Sequence, residues 1–343
     1  MRVIATTVVR ESTFGKQRTG YVYEVDWQAQ RVLHRFPVPD PEHPESDDNP
    51  RGGIRGGRGV ASTRLGVFLA NYDSIYRYDD DWNVLGVMSH DLFVGIHEIH
   101  WDGQRLWVTA TGIDAVLEVA SDGAASVAWD PHEPDLARRF GLRSRPVPLG
   151  ESGVAPARRP TPIDDCHING VSFSDGDMVV NCGLVRKRRG LPARVAQWAR
   201  TRARTRTGRD SGSAAGSVSR SVVVRVRNGR TETLIDLEGG GSPTHNGQLL
   251  DAARVAVNES RTNTFRVFQV SDGAEVARVP VQGTWLRGMV PLGDGRVLVG
   301  TAPAAIALID LESQAVERQL ALSENPSEAI HGLAVHPPPD ERR

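Results

Sequence analysis

The feature that most constrains this chain is an internal repeat. Each copy opens with a ring residue on a short strand, passes through a tight turn often written Asp-Gly, and continues into a second apolar strand. His97-Glu98-Ile99-His100-Trp101-Asp102-Gly103 leads into Arg105-Leu106-Trp107-Val108-Thr109. His167-Ile168-Asn169-Gly170 leads through Asp175-Gly176 into Met178-Val179-Val180-Asn181. Arg287-Gly288-Met289-Val290 leads through Asp294-Gly295 into Arg296-Val297-Leu298-Val299-Gly300. His245-Asn246-Gly247-Gln248-Leu249 and Arg58-Gly59-Val60 open two further copies. Asp-Gly between short apolar runs is a strong hairpin signal, and a period of roughly 40 residues marks a repeat architecture.

Two more strands follow each pair, for example 115–119 with 125–129, and 264–270 with 274–279. Four strands per unit is a propeller blade. Ring residues are spaced by 39 (58 to 97), 42 (245 to 287) and 44 (287 to 331), and by 70 (97 to 167) and 78 (167 to 245) where insertions intervene. The sixth unit is split. His331-Gly332-Leu333-Ala334-Val335 looks like an innermost strand near the end of the chain, while 3–9, 21–26 and 31–36 supply three strands with no inner partner. The expectation is an all-β, six-bladed β-propeller over 1–343, closed by pairing the N- and C-terminal strands in one blade. Regular helical patterns between strands, which a doubly wound sheet needs, are missing.

Two segments depart from the repeat. Residues 131–165 form a connection rich in Pro and Arg. Residues 185–220 form an insertion with eleven Lys/Arg against Asp210 alone. Within it Leu191, Val195 and Trp198 fall at helical spacing, and a Gly/Ser/Ala run follows from Ser211. Two readings stand: a basic lid that recruits an acidic substrate or partner, and a solvated loop. Over the whole chain Lys+Arg 41 balance Asp+Glu 42, for a formal charge of −1, so nucleic acid is not an expected partner. No apolar stretch approaches the ~18 residues of a membrane span. The two cysteines do not form a disulfide framework, and a cytoplasmic protein is expected.

In a propeller the inner strands all begin at one mouth of the axial channel. Those positions read Arg58, His97, His167, His245, Arg287 and His331. Imidazole is the commonest neutral nitrogen ligand, and several aimed at one point make a site for Fe, Zn, Mn or Cu. His97, His167, His245 and His331 are therefore the candidate metal ligands. His100, three residues past His97, belongs to the opposite strand face unless the strand bulges. Glu98 and Glu259 are the carboxylates nearest the ring and candidates for general base, and Arg58 and Arg287 are candidates for orienting an anionic group. Asp164 and Asp165 could support His167 from behind. Cys166 and Cys182 read either as soft ligands or as core thiols. Asn71, Asp73, Thr109, Asn181, Asn258 and Thr301 end the second strands at the same mouth. The competing reading is that such histidines stitch neighbouring blades together.

The runs Asp164-Asp165-Cys166-His167-Ile168-Asn169-Gly170, Pro243-Thr244-His245-Asn246-Gly247 and Trp285-Leu286-Arg287-Gly288 resemble motifs of an uncharacterised bacterial six-bladed propeller family. Its members read Cys-His-Leu-Asn-Gly, Pro-His-Ser and Phe-Leu-Arg-Gly there. Over about residues 95–300 the resemblance implies the propeller and the axial histidines; it implies no established activity, and Asn246 stands where that family has Ser. At fold level the chain is also similar to gluconolactonase-type propellers, which hold a divalent ion at the channel mouth, but fold alone does not confer function. The sequence thus points to a metal-dependent enzyme acting on a small, anionic substrate, of hydrolase, lyase or oxygenase type. Two alternatives stay open: a metal-free sulfuryl or phosphoryl transferase using His and Arg, and a non-catalytic binding propeller.

Overall fold

A computed structural model describes residues 1–10, 19–42, 56–145, 149, 163–174, 176–186, 219–238 and 243–336. Most of the two insertions, including the helical spacing at Leu191, Val195 and Trp198, lies outside them. Six four-stranded antiparallel sheets stand around one axis. Blade 1 is built from β1 (Arg2–Val9), β2 (Tyr21–Asp26), β3 (Arg31–Pro37) and the last strand, β24 (Glu328–His336). Blade 2 holds β4 (Val60–Thr63) to β7 (Val84–Ser89), and blade 3 β8 (Ile96–Trp101) to β11 (Ala125–Trp129). Blade 4 holds β12 (Ile168–Ser174) to β15 (Arg230–Glu238), blade 5 β16 (Thr244–Leu249) to β19 (Glu275–Pro280), and blade 6 β20 (Thr284–Pro291) to β23 (Ala315–Ala321). The inner strands β24, β4, β8, β12, β16 and β20 pack successively around the channel.

The ring closes as the split sixth unit requires. β24 pairs antiparallel with β1 from Arg2↔His336 to Val9↔Glu328, with a bulge between Thr6 and Thr7. Glu328 is buried and its Oε1 accepts from Thr7 Oγ1 at 2.8 Å and Tyr23 Oη at 2.9 Å. Burial, reinforced by the Glu328 carboxylate, pushes the Tyr23 hydroxyl up to about 12.

The core lies between blades. Residues on the facing sides of each adjacent pair form their own cluster, such as Leu298 and Ile306 of blade 6 with Val3 and Ile330 of blade 1, and Val116 and Trp129 of blade 3 with Ile168 and Val180 of blade 4. Side chains alternate along a strand, so β21 (Arg296–Ala302) sends Val297 and Val299 toward blade 5 and Leu298 toward blade 1. Both faces are buried, which is why the second strand of a unit reads as an unbroken apolar run. Emptying one such site, as in Leu298→Ala, costs about 2–5 kcal/mol.

The connection from 131 to 165 contains a structured piece that its composition did not suggest. A short helix, α1 (Pro134–Phe140), starts on a proline and ends on Gly141 in the left-handed region (φ 71°), which lets Leu142 N donate to Ala137 O at 2.8 Å. Its buried Ala137 and Phe140 pack against Trp129 and Cys166. No helix among the described residues is long and apolar enough to cross a membrane.

Candidate functional site

The strand starts do converge. His97 lies with its ring centroid 4.3 Å from His331, 5.4 Å from His167 and 5.6 Å from His245. Around the axis, three consecutive blades (3, 4 and 5) present His97, His167 and His245, and the other three (6, 1 and 2) present Arg287, His331 and Arg58. Local backbone irregularities aim these side chains. Registers shift between Ile96 and Ile99, Ile168 and Gly170, His245 and Gln248, and on both sides of Arg287. His167 and Asn246 adopt left-handed backbone (φ 50° and 54°), an uncommon conformation for a side-chain-bearing residue and one that clusters at functional sites.

The histidine half has the chemistry of a ligand set. His97, His167 and His245 each offer an atom that lies within 4.8 Å of the other two. Ser260 Oγ donates its single hydrogen to Leu286 O at 2.8 Å, so at its 2.6 Å contact with His245 Nδ1 it must accept. His245 therefore carries its proton on Nδ1 and keeps a lone pair on Nε2, a buried atom with no hydrogen-bond partner among the described residues. His167 Nδ1 is 3.1 Å from Asp164 Oδ1, which leaves Nε2 as the nitrogen free of that tie. His97 Nδ1 is a second buried nitrogen without a partner among the described residues. Leaving such an atom unsatisfied costs about 1–3 kcal/mol. Burial first, then the surrounding cationic groups, hold His97 and His245 well below the ordinary imidazole value, so both are neutral at pH 7. Imidazoles with the second nitrogen tied to an oxygen suit a divalent transition ion; His167 and His245 have that arrangement, and His97 adds a third ring without it, its Nε2 lying 3.4 Å from Arg287 Nη1.

The arginine half uses its imidazole differently. His331 Nε2 receives Arg287 Nη1 at 2.9 Å and Arg58 Nη1 at 3.1 Å. Guanidinium only donates, so this nitrogen is an acceptor shared by two cations. His331 thus reaches His97 but stands outside the three-histidine group expected to include it, and its lone pair aligns arginines. Arg287 Nη1 also lies 3.4 Å from His97 Nε2, joining the halves.

One residue further along the strands lies a second layer. After the ring residue, blades 2, 6 and 1 carry Gly59, Gly288 and Gly332, and blade 4 reaches Gly170 after its bulge. Blades 3 and 5 carry Glu98 and Asn246, whose side chains meet, Asn246 Nδ2 donating to Glu98 Oε2 at 2.5 Å and Gly288 N donating to Asn246 Oδ1 at 2.9 Å. A Cβ on Gly59 would fall 2.6 Å from Glu98 Oε1, and one on Gly170 3.0 Å from Asn246 Cα, so the small residues make room for the crossing pair. Burial pushes the Glu98 carboxyl up to about 8, against the hydrogen bonds from Ile99 and Asn246 and the charge of Arg287.

The remaining sequence candidates sort by position. Glu259 is turned to Arg266 on the neighbouring strand of its own blade, at 3.5 Å, away from the ring. His100 stacks on Phe173 (centroids 5.9 Å, 23°) past the Glu98 layer, and burial lowers it to about 4. Burial raises Asp164, but His167 and Arg186 outweigh it and hold the carboxyl below its usual value. Asp165 pairs with Arg143 at 3.3 Å and does not support His167. Cys166 and Cys182 are buried free thiols. A hydrogen bond between the two, with burial, raises Cys166 well above its ordinary value, the state of a core thiol. Two of the polar ends of the second strands stitch blades, Asn181 Nδ2 donating to Thr244 O at 3.0 Å and Asn258 Nδ2 to Gly288 O at 3.0 Å, while Thr109 and Thr301 bond within their own blades.

Sequence reasoning missed three contributors. Ser260 orients His245. Asn246 secures Glu98. Asp114, buried and at φ 48°, uses Oδ2 to accept Asp165 N at 2.6 Å and Cys166 N at 2.9 Å, fixing the segment that carries His167, and is itself held by His132 Nε2 at 3.1 Å. Ser260 and Asp114 stand at no repeated position, so the periodicity did not mark them; Asn246 stands after a ring residue as Glu98 does, but its partner lies two blades away.

No protein-family model matches the sequence, and no curated protein matches it. The resemblance to the uncharacterised propeller family therefore rests on its motifs alone. Solved structures do share the fold. A nidogen/laminin complex aligns with a TM-score of 0.57 at 9% identity, covering 97% of each chain. A protein of unknown function from Bacteroides caccae aligns with a TM-score of 0.53 at 12% identity, again covering 97% of each chain. A streptogramin B lyase covers 79% of this chain and 71% of its own, with a TM-score of 0.42 at 12% identity. Identities this low speak for the propeller only.

Proposed function

We propose that the chain is a metal-dependent enzyme acting on a small anionic molecule at the mouth of the propeller channel, by hydrolase or lyase chemistry. The observation that carries this reading is the group His97, His167 and His245, from three consecutive blades, with ligand atoms within 4.8 Å of one another. A divalent Zn, Fe, Mn or Cu ion held there would supply Lewis-acid polarisation of a substrate oxygen or a water of lowered pKa. Arg287 and Arg58, lined up by His331 Nε2, face this group across the axis and bind the anionic part of the substrate. Charge-assisted bonds of that kind are worth about 1.5–3 kcal/mol each. Glu98, next to His97 and raised to about 8, holds or returns a proton near neutral pH, where a general acid–base group works best.

The test is elemental analysis of protein purified without a metal-affinity tag, followed by calorimetric titration of the stripped protein with Zn²⁺ and Mn²⁺. One equivalent of a transition metal per chain supports the reading. Protein that carries none and binds none overturns it and favours the metal-free transferase, in which Arg58, Arg287 and His331 cradle a sulfuryl or phosphoryl group.

A further inference from the structure

His167, the blade 4 member of the histidine group, stands in left-handed backbone (φ 50°) and is held from two sides. A side-chain-bearing residue keeps that conformation where its surroundings over-determine it. On one side the carbonyls of Asp165, Cys166 and His167 accept Arg186 N, Leu184 N and Gly183 N at 2.8, 3.2 and 3.1 Å, all from β13 (Asp177–Arg186). On the other, the N–H groups of Asp165 and Cys166 both end on Asp114 Oδ2. Behind Asp114 lies His132, between β11 and α1, its side chain 1% exposed against 0% for the carboxylate. We propose that His132 is a positioning residue carrying two ring hydrogens, whose charge holds Asp114 as an anion and so keeps the His167 segment in its ligand geometry. The part that concerns His167 as a ligand rests on the metal reading above.

The hydrogen count follows from the partners. His132 Nδ1 lies 2.7 Å from Arg143 O, and a carbonyl only accepts, so Nδ1 carries a hydrogen. Nε2 lies 3.1 Å from Asp114 Oδ2. That oxygen accepts Asp165 N at 2.6 Å and Cys166 N at 2.9 Å, the short lengths of bonds to a carboxylate. A hydrogen on the other oxygen, Oδ1, would sit on a buried atom with no partner among the described residues. Asp114 is therefore ionised, and Nε2 donates to it.

This pair belongs to a larger cluster. Arg145 Nε donates to Asp130 Oδ2 at 2.6 Å, both side chains 7% exposed, and Arg145 Nη2 donates to Ile113 O beside Asp114. Asp130 Oδ1 accepts His132 N at 2.9 Å. Two cations thus face two anions in one buried, neutral group. At its rim Arg143 pairs with Asp165 at 3.3 Å and Arg186 with Asp164 at 3.4 Å. Burial raises the Asp114 carboxyl, against the His132 bond. Burial lowers His132, but the bonds to Asp114 and the Arg143 carbonyl outweigh it and raise the ring above its ordinary value of 6.5. The contribution of the pair is therefore present below pH 6.5 and is lost as pH rises through the raised His132 value. Past that point Asp114 is a buried anion with its partner gone, a strongly destabilising state.

Two measurements test this. In metal-free wild-type protein, nitrogen-15 spectra should show hydrogens on both His132 ring nitrogens at pH 7. The Asp165 and Cys166 amide resonances should titrate with the same midpoint as that ring, on the alkaline side of 6.5. Asp114→Asn keeps an oxygen for both N–H groups and suits the left-handed backbone there (φ 48°); it should abolish the coupled titration. A neutral His132 ring at pH 7, or amides that ignore its titration, overturns the proposal whether or not metal binds. In the second measurement, Zn²⁺ calorimetry at pH 7 should show about 10- to 100-fold weaker binding by His132→Leu. Combining His132→Leu with Asp114→Asn should recover most of that loss, because no buried anion is left without its partner. If His132→Leu alone does not fold, the double variant should, for the same reason. Equal loss in the single and double variants would show a packing role and sink the charge argument. Wild-type protein that binds no Zn²⁺ overturns the metal reading, and the spectra then decide on His132 alone.

Discussion

Blades 3 to 5 and blades 6, 1 and 2 share one plan, yet the two halves of the ring they build do opposite things with the same side chain. His245 and His331 stand at equivalent strand starts, and both are almost wholly buried. His245 gives its Nδ1 hydrogen to Ser260 and keeps a buried Nε2 with no hydrogen-bond partner among the described residues. His331 has its Nε2 held by two guanidinium groups. The role of an imidazole is set by what takes its other nitrogen. Position in the repeat determines only where it points.

The harshest way to break the comparison is to remove one of its members with its strand. Deleting residues from Glu328 onward takes away His331 and the whole inner strand of blade 1, including the buried Ile330 and Leu333. Each such side chain is worth ~1.5–3 kcal/mol, and β1 loses its ladder as well, so the truncated chain should show no cooperative melt. A calorimetric transition like that of the full chain would refute closure at the termini.

Within the folded protein the halves should separate by ligand. His245→Ala should lose stoichiometric metal in calorimetry, whereas His331→Gln should keep it. Arg287→Gln should weaken phosphate or sulfate binding about 10- to 100-fold, the equivalent of one charge-assisted bond of ~1.5–3 kcal/mol, with metal stoichiometry unchanged. If His331→Gln loses the metal as His245→Ala does, the division of the ring is wrong.

Ser260→Ala sharpens the point, because it leaves every ring residue in place. Orienting partners of this kind are worth about 10- to 100-fold in metal affinity, and Ser260→Thr, which keeps the hydroxyl, should restore most of the loss. An alanine variant with wild-type affinity would remove the hydroxyl from the argument.

The smallest effect concerns pH. Burial holds His97 and His245 well below 6.5 and lowers His100 and His336 to about 4. As pH falls below 6.5 the unfolded chain protonates these sites while the folded chain does not. Their contribution is therefore present above pH 6.5 and is lost progressively toward pH 4. One such group changes stability by at most about 1.4 kcal/mol per pH unit, so in metal-free protein His100→Gln should flatten denaturation midpoints against pH between 6.5 and 4. An unchanged slope would show that His100 is not held neutral by the fold.

The sequence by itself determined the propeller, its count of six and its closure, because a blade is a local object: four short strands and their turns write themselves into consecutive residues, and a split unit shows as missing strands at the two ends. It also determined which residues stand at the mouth, since all six inner strands begin there. It set His97 apart from His100 on the distance from a ring residue to its hairpin, which is a local quantity. What only the tertiary structure decided is the division of labour among those residues. Ser260 and His245 are 15 positions apart, Asn246 and Glu98 148, and Arg58 and His331 273; each pair joins through the fold, and no local pattern encodes it. Glu259 shows the same limit from the other side. One strand end looks like another in the sequence, but its carboxylate was drawn to Arg266 within its own blade. A hydrogen bond is chosen by geometry over a few ångströms, and that geometry exists only after distant blades have packed.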